Sequence, residues 1–297
     1  DWRGAALLTA GLSALTFSLT DDGANPRPFV VSATLVVLGV GLLLSFARIE
    51  LKVRRPMLDM RVLRLRPVAA AALAYLLIGG ALITVLVAVP LMSDVLYGDS
   101  TTQGGLTLMR FLLLLPLGGL AGGWLATLVG YRVTVLAGIA LALGGFVWMR
   151  LWPFVPGDVA AAAPPSWQLW GALGCAGFGL GLCDGPIMAT VVDAVAEAQR
   201  ATAAAMLLVV WTTGMIIGLA LLATQGLGAF GRRLATIPLD LAAPDYQRRL
   251  ESVMHRTFDE TFVAAALALG VAWLLAWALR GGRAAEVLVS PYEALGE

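Results

Sequence analysis

Charge is scarce in this sequence: 13% of its 297 residues are Asp, Glu, Lys or Arg, against 59% hydrophobic ones. A water-soluble domain of this length carries far more charge on its surface. Metal ligands are scarcer still. One histidine and two cysteines, with no close cluster of carboxylates, leave little from which to build a metal centre, and no cofactor is expected. Cys175 and Cys183 fall within one apolar stretch, about 12 Å apart along a helix axis, too far to bridge each other. No nucleophile with an adjacent base, no phosphate-binding loop and no ATP motif is present, which argues against an enzyme and against a primary pump. A net charge of +1 with no basic residues interleaved among aromatics argues against nucleic acid as a partner. A secretory signal is also missing, and the chain starts at Asp1 rather than Met, so it reads as a piece of something longer.

What is abundant is apolar length. About eight stretches approach the ~20 residues that a helix needs to cross a hydrocarbon core of about 30 Å. They are Ala5 to Leu19, Phe29 to Ala47, Val68 to Met92, Gly104 to Val129, Val133 to Trp152, Trp167 to Val192, Thr202 to Leu227 and Thr261 to Leu279. The expected fold class is therefore an all-α integral membrane protein embedded in the lipid bilayer. Arg48, Lys52, Arg54, Arg55, Arg61, Arg64 and Arg66 gather between the second and third spans. Short loops rich in Lys and Arg stay cytoplasmic, so both termini are expected there, in a cell inner membrane. The connection from Gly228 to Glu260, with Arg232, Arg233, Arg248, Arg249 and Arg256, runs against that assignment.

The chain divides into a helix hairpin with a basic linker (1–66), a six-span block (67–280) and a polar tail (281–297). The linker, opened by Pro56, places Leu58, Val62 and Leu65 at helical spacing beside its arginines. It reads either as an interfacial amphipathic helix or as a solvated loop that sets topology. Tyr246, Leu250, Val253 and Met254 predict a short surface helix, separate from the last span, that carries the lone His255. Glycines recur four apart in the block: Gly118 with Gly122, Gly119 with Gly123, Gly177 with Gly181 and Gly185, and Gly214 with Gly218. Such ladders let helix backbones approach closely, either for plain packing or as sliding surfaces.

Several stretches in order resemble the C-terminal part of the 14-span drug:proton antiporter branch of the major facilitator superfamily. Asp1-Trp2-Arg3-Gly4, Arg55-Pro56-Met57-Leu58-Asp59, and Tyr97-Gly98-Asp99-Ser100 followed by Gly105-Leu106 are similar to segments of that branch. Gly123-Trp124-Leu125-Ala126-Thr127-Leu128-Val129-Gly130-Tyr131-Arg132 resembles the superfamily loop motif Gly-x-Leu-x-Asp-Arg-x-Gly-Arg. Its acidic and first basic positions are Thr127 and Leu128 here, so only Gly123, Gly130 and Arg132 remain. The resemblance implies spans seven to fourteen: a hairpin followed by a C-terminal six-helix bundle, with a six-helix N-terminal bundle missing. It further implies proton-coupled efflux of hydrophobic or cationic compounds, so that protons and a small molecule are the expected partners. A superfamily relative moving another metabolite or lipid, and a non-transporting scaffold, are the alternatives.

Ionisable residues inside the membrane are costly and mark function. Asp184, in Gly181-Leu182-Cys183-Asp184-Gly185-Pro186, lies about 26 Å below the start of its span at Trp167, whereas Arg110 lies about 9 Å below Gly104. Asp184 is thus the proton-coupling candidate, or else a helix-packing residue near Pro186. Arg110 is expected to reach Asp94 as an ion pair near the outer surface.

Overall fold

The structure is a computed structural model that describes residues 66–152, 164–222 and 246–279 continuously, together with isolated helical residues between 6 and 45. The all-α expectation holds, since every regular element among the described residues is helical. Among the described residues, six helices are long and apolar enough to cross a membrane. They are α1 (Arg66–Tyr97), α2 (Thr101–Val129), α3 (Tyr131–Arg150), α4 (Ser166–Val192), α5 (Arg200–Leu221) and α6 (Tyr246–Ala276), with a single 3₁₀ turn at Glu197–Gln199. Most of the two hairpin spans, the basic linker up to residue 65, residues 223–245 before α6 and the tail from 281 to 297 lie outside the described residues. Of the first span, Leu7 packs against the bundle core.

Sequence punctuation sets the helix ends. Gly98 adopts φ 64°, a left-handed turn that glycine takes without strain. Ser100 then opens α2 with a capping box: its hydroxyl accepts from the Gln103 N–H, and the Gln103 side chain accepts from the Ser100 N–H at 2.8 Å. This satisfies donors that a helix start otherwise leaves orphaned. Gly130, at φ 91°, separates α2 from α3 in a single residue, and that is the physical reason the loop motif needs glycine there.

One expectation is corrected. The segment carrying Tyr246, Leu250, Val253 and Met254 is not a separate surface helix, because it is continuous with the last span in α6. Nothing between Tyr246 and Ala276 breaks a helix: the run holds no proline, and its one glycine, Gly270, lies deep in the span. At about 1.5 Å per residue α6 is roughly 46 Å long, longer than a hydrocarbon core is thick.

α4 is the hub. Two of its faces meet other helices backbone to backbone. On the α2 side, a Cβ added at Gly118 or Gly122 would overlap the carbonyls of Phe178 and Leu182, and one at Gly177 or Gly181 would overlap those of Phe111 and Leu115. On the α3 side, Gly138 and Gly145 approach Gly179 and Ala172 in the same way. A second such seam joins α1 to α5, where Gly214 sits against Leu76 and Gly218 against Gly80. Lipid tails remove the hydrophobic drive between spans, so this close fit and its dispersion contacts hold the helices together. The outer faces are apolar, with Leu112, Leu113, Leu117 and Leu120 of α2 and Leu267, Val271 and Leu274 of α6 exposed.

The glycine ladders are therefore unequal. Gly118, Gly122, Gly177, Gly181, Gly214 and Gly218 are packing positions, whereas Gly123 has open space around it. Gly181→Leu is expected to abolish folded, monodisperse protein in detergent, because a backbone carbonyl cannot yield to a side chain. Gly123→Ala is expected to match the parent protein in thermal unfolding. Comparable unfolding temperatures for the two variants would contradict this packing scheme.

Candidate functional site

The helical rotation of about 100° per residue distributes the motif around α4 to three different sides. Gly181 faces α2. Cys183 is buried against α3, its thiol donating to the Gly179 carbonyl at 3.2 Å and lying 3.6 Å from that of Val135. Asp184 is left on the remaining side, exposed in this bundle together with Gly185. Pro186 has no N–H to return to the Leu182 carbonyl, and that is the carbonyl Gly122 of α2 approaches.

Asp184 is not alone. The Tyr75 hydroxyl of α1 donates to its Oδ1. Tyr75 is itself buried, and its ring stacks on Trp211 of α5 at 6.0 Å between centroids with 23° between planes. Gly79, one turn along α1, provides the room for Trp211, since a Cβ there would strike its backbone and ring. Measured by helical rise, Asp184 lies about 12 Å from the Val192 end of α4, Tyr75 about 14 Å from Arg66 and Trp211 about 17 Å from Arg200. All three helix ends are on the same side of the bundle. The trio therefore forms one layer, about 12–17 Å inside these ends, that links α4, α1 and α5. Sequence reasoning found Asp184 but missed Tyr75 and Trp211, because a tyrosine and a tryptophan in apolar spans read as packing.

The expected Asp94–Arg110 pair does not form. Asp94 is exposed, on the side of α1 away from buried Met92, Ser93 and Leu96. Ser93 instead donates to Asp99 at 2.5 Å, which ties the end of α1 to the turn before α2. Arg110 donates to Thr107 at 3.2 Å on its own helix and lies 5.8 Å over the Trp170 ring of α4. This cation–π contact offers a guanidinium in lipid an aromatic face in place of a carboxylate.

The loop-motif remnant has a structural role at the opposite end. Gly130 makes the turn, Tyr131 donates to Asp193, the residue that caps the end of α4, at 2.8 Å, and Arg132 stacks 4.8 Å over Trp277 just beyond α6. Gly123 faces the open side, near Gly185. At the other end of the bundle, Arg150 of α3 pairs with Asp259 of α6 at 3.0 Å, and His255 Nδ1 lies 3.6 Å from the same carboxylate. His255 is thus part of a helix-to-helix cluster rather than an exposed histidine. Among the described residues, no three His, Cys, Asp or Glu side chains gather as a metal site.

No protein-family model matches the chain. It is 34% identical over 247 residues to the triacylglyceride transporter of Mycolicibacterium smegmatis, which covers 80% of this chain and 43% of that protein. The probable triacylglyceride transporter of Mycobacterium leprae is 31% identical over 242 residues, covering 79% of this chain and 47% of that protein. The chain thus spans about half the length of the curated relatives it matches. Among solved structures it is similar to an inward-facing, unoccupied bacterial homologue of the human lysosomal transporter Spinster. The TM-score is 0.55 at 14% identity, over 84% of this chain and 58% of that one. The likeness at that identity is one of fold, a bundle of membrane-spanning helices.

Tyr75→Phe removes the hydroxyl bond to Asp184 and keeps the stack on Trp211. A loss of about 1.5–3 kcal/mol, as for hydrogen bonds to charged groups, is expected. Thermal unfolding of parent and variant measures this. Equal unfolding temperatures would contradict the Tyr75–Asp184 bond.

Proposed function

We propose that this chain forms one half of a secondary transporter that moves a hydrophobic lipid across the membrane by alternating access, with Asp184 as its proton-coupling residue. The carrying observation is Asp184 itself: a carboxylate about 12 Å inside the end of its span, exposed on the side of α4 that α2 and α3 leave free, and held by the buried Tyr75 of α1. The transport reading is supported by relatives that are named transporters and by the fold likeness. A triacylglyceride-like cargo is supported by the names of those relatives and by the apolar character of the bundle.

The chemistry follows from the Tyr75–Asp184 bond. An ionised Asp184 accepts a charge-assisted hydrogen bond and fastens α4 to α1 and, through the Trp211 stack, to α5. Such bonds are roughly twice as strong as neutral ones. Protonation removes the charge, weakens the link and frees those helices to shift relative to one another. A transporter of this kind rocks two bundles about a central cavity, and Asp184 faces the side where a second, N-terminal six-helix bundle would sit. The basic stretch from Arg48 to Arg66 then lies in the cytoplasm, as do both chain ends, with the protein in the inner membrane. Proton-coupled efflux of hydrophobic or cationic drugs, which the resemblance implies, would use the same step. The relatives' names shift the cargo towards a neutral lipid.

Asp184→Asn keeps an oxygen for Tyr75 to donate to but cannot take up a proton near neutral pH. In proteoliposomes of the complete transporter, its lipid transport is expected to lose its response to an imposed pH gradient. An unchanged response would remove Asp184 from the coupling role.

A further inference from the structure

A cavity lies away from Asp184, between α1, α5 and α6. Leu77, Gly80, Ala81 and Thr84 border it, on the face of α1 roughly opposite Tyr75 by helical rotation. Its origin is a mismatch in side-chain size. Gly218 and Gly80 bring α5 and α1 into backbone contact, so that a Cβ on Gly218 would come within 2.7 Å of the Gly80 Cα. Along the deeper part of the gap that this pair leaves, α6 presents the small side chains of Ala264, Ala265 and Ala268. The result is a cleft of about 390 Å³, within the size range of small-molecule sites.

We propose that this cleft seats one acyl chain of a bilayer glycerolipid, with the lipid's polar head at the Arg256–Glu260 pair. The lining is apolar in effect. Thr84, Thr257 and Thr261 donate their hydroxyl protons to carbonyls of their own helices at 2.8–2.9 Å. Glu260 is the one charged lining residue, and it pairs with exposed Arg256 at 3.4 Å. By helical rise, Ala268 lies about 12 Å and Glu260 about 24 Å from the Ala276 end of α6. The cleft therefore runs from the hydrocarbon middle towards one membrane surface, with its apolar part deep and its charges at the shallow end. That is the polarity of a lipid molecule. An apolar cavity does not hold water, and alkyl chains are what surround these spans. Arg256 supplies donors for a phosphate or ester oxygen. The site does not depend on the transport reading and stands if Asp184 couples nothing.

The test is photo-crosslinking of the intact protein in nanodiscs of phosphatidylcholine bearing a diazirine near the end of one acyl chain, followed by peptide mapping. Adducts are expected on the peptides carrying Leu76 to Thr84 and Ala264 to Ala268. They are expected to disappear in Ala264→Phe and Ala268→Phe, which fill the cleft, while adducts on the outer face of α2 persist as an internal reference. Ala264→Leu serves if the larger side chains impair folding. Cleft adducts that survive in a filled variant with unchanged thermal stability would overturn the proposal. So would labelling restricted to the outer face of α2, or cleft peptides shielded by residues 1–65.

Discussion

Backbone-to-backbone contact between α4 and its two neighbours is the constraint on which the rest of this bundle depends. In a bilayer, apolar side chains gain little by turning from lipid to protein, so helices adhere through proximity and fit. Gly118, Gly122, Gly177 and Gly181 provide that proximity towards α2, and Gly138, Gly145 and Gly179 towards α3. With two sides of α4 committed in this way, the orientation of the third is fixed. Asp184 points where it does because Gly181 and Cys183 point elsewhere.

That geometry separates a rigid part from an adjustable one. The α2–α4–α3 unit is interlocked through carbonyls that cannot move independently. Its polar link to α1 at the Asp184 level is the side-chain bond from Tyr75, passed to α5 by stacking on Trp211. A proton on one carboxylate changes a bond of that kind but leaves the glycine contacts unaltered. The ends of the bundle are tied separately: Tyr131 to Asp193 at one, Arg150 to Asp259 and Ser93 to Asp99 at the other. The adjustable layer lies between these ties.

Much of the fold was legible in the sequence, because apolar length and Gly/Pro punctuation are local signals. The six described spans fall near where hydropathy puts them: they start one to three residues earlier, fifteen in the last, and end from five residues later in α1 to three earlier in α6, with the expected end at Leu227 outside the described residues. The error at the start of the last span arose because Arg248, Arg249 and Glu251 read as a surface helix, whereas a helix rising past the hydrocarbon carries the same charges without a break. The glycine ladders predicted close packing, and six of their nine positions provide it. Asp184 was legible as a lone intramembrane carboxylate. Its partner was not, since Tyr75 is 109 residues away and nothing local distinguishes a tyrosine that stacks and donates from one that fills space. The Asp94–Arg110 pairing failed for a related reason: depth along two helices can be counted, but which way each side chain faces depends on the third helix.

The central claim is that the Asp184 face opens to water on one side of the membrane at a time. Gly185 adjoins Asp184, and a Cβ there meets nothing closer than 3.9 Å, so Gly185→Cys reports on this face without disturbing it. In the complete transporter with Cys175 and Cys183 replaced by alanine, its labelling by a membrane-impermeant thiol reagent is the most direct measurement. Reactivity that switches from one side of the membrane to the other when the pH gradient is reversed is the predicted result. A cysteine at 185 that stays unreactive from both sides under every gradient would contradict the account.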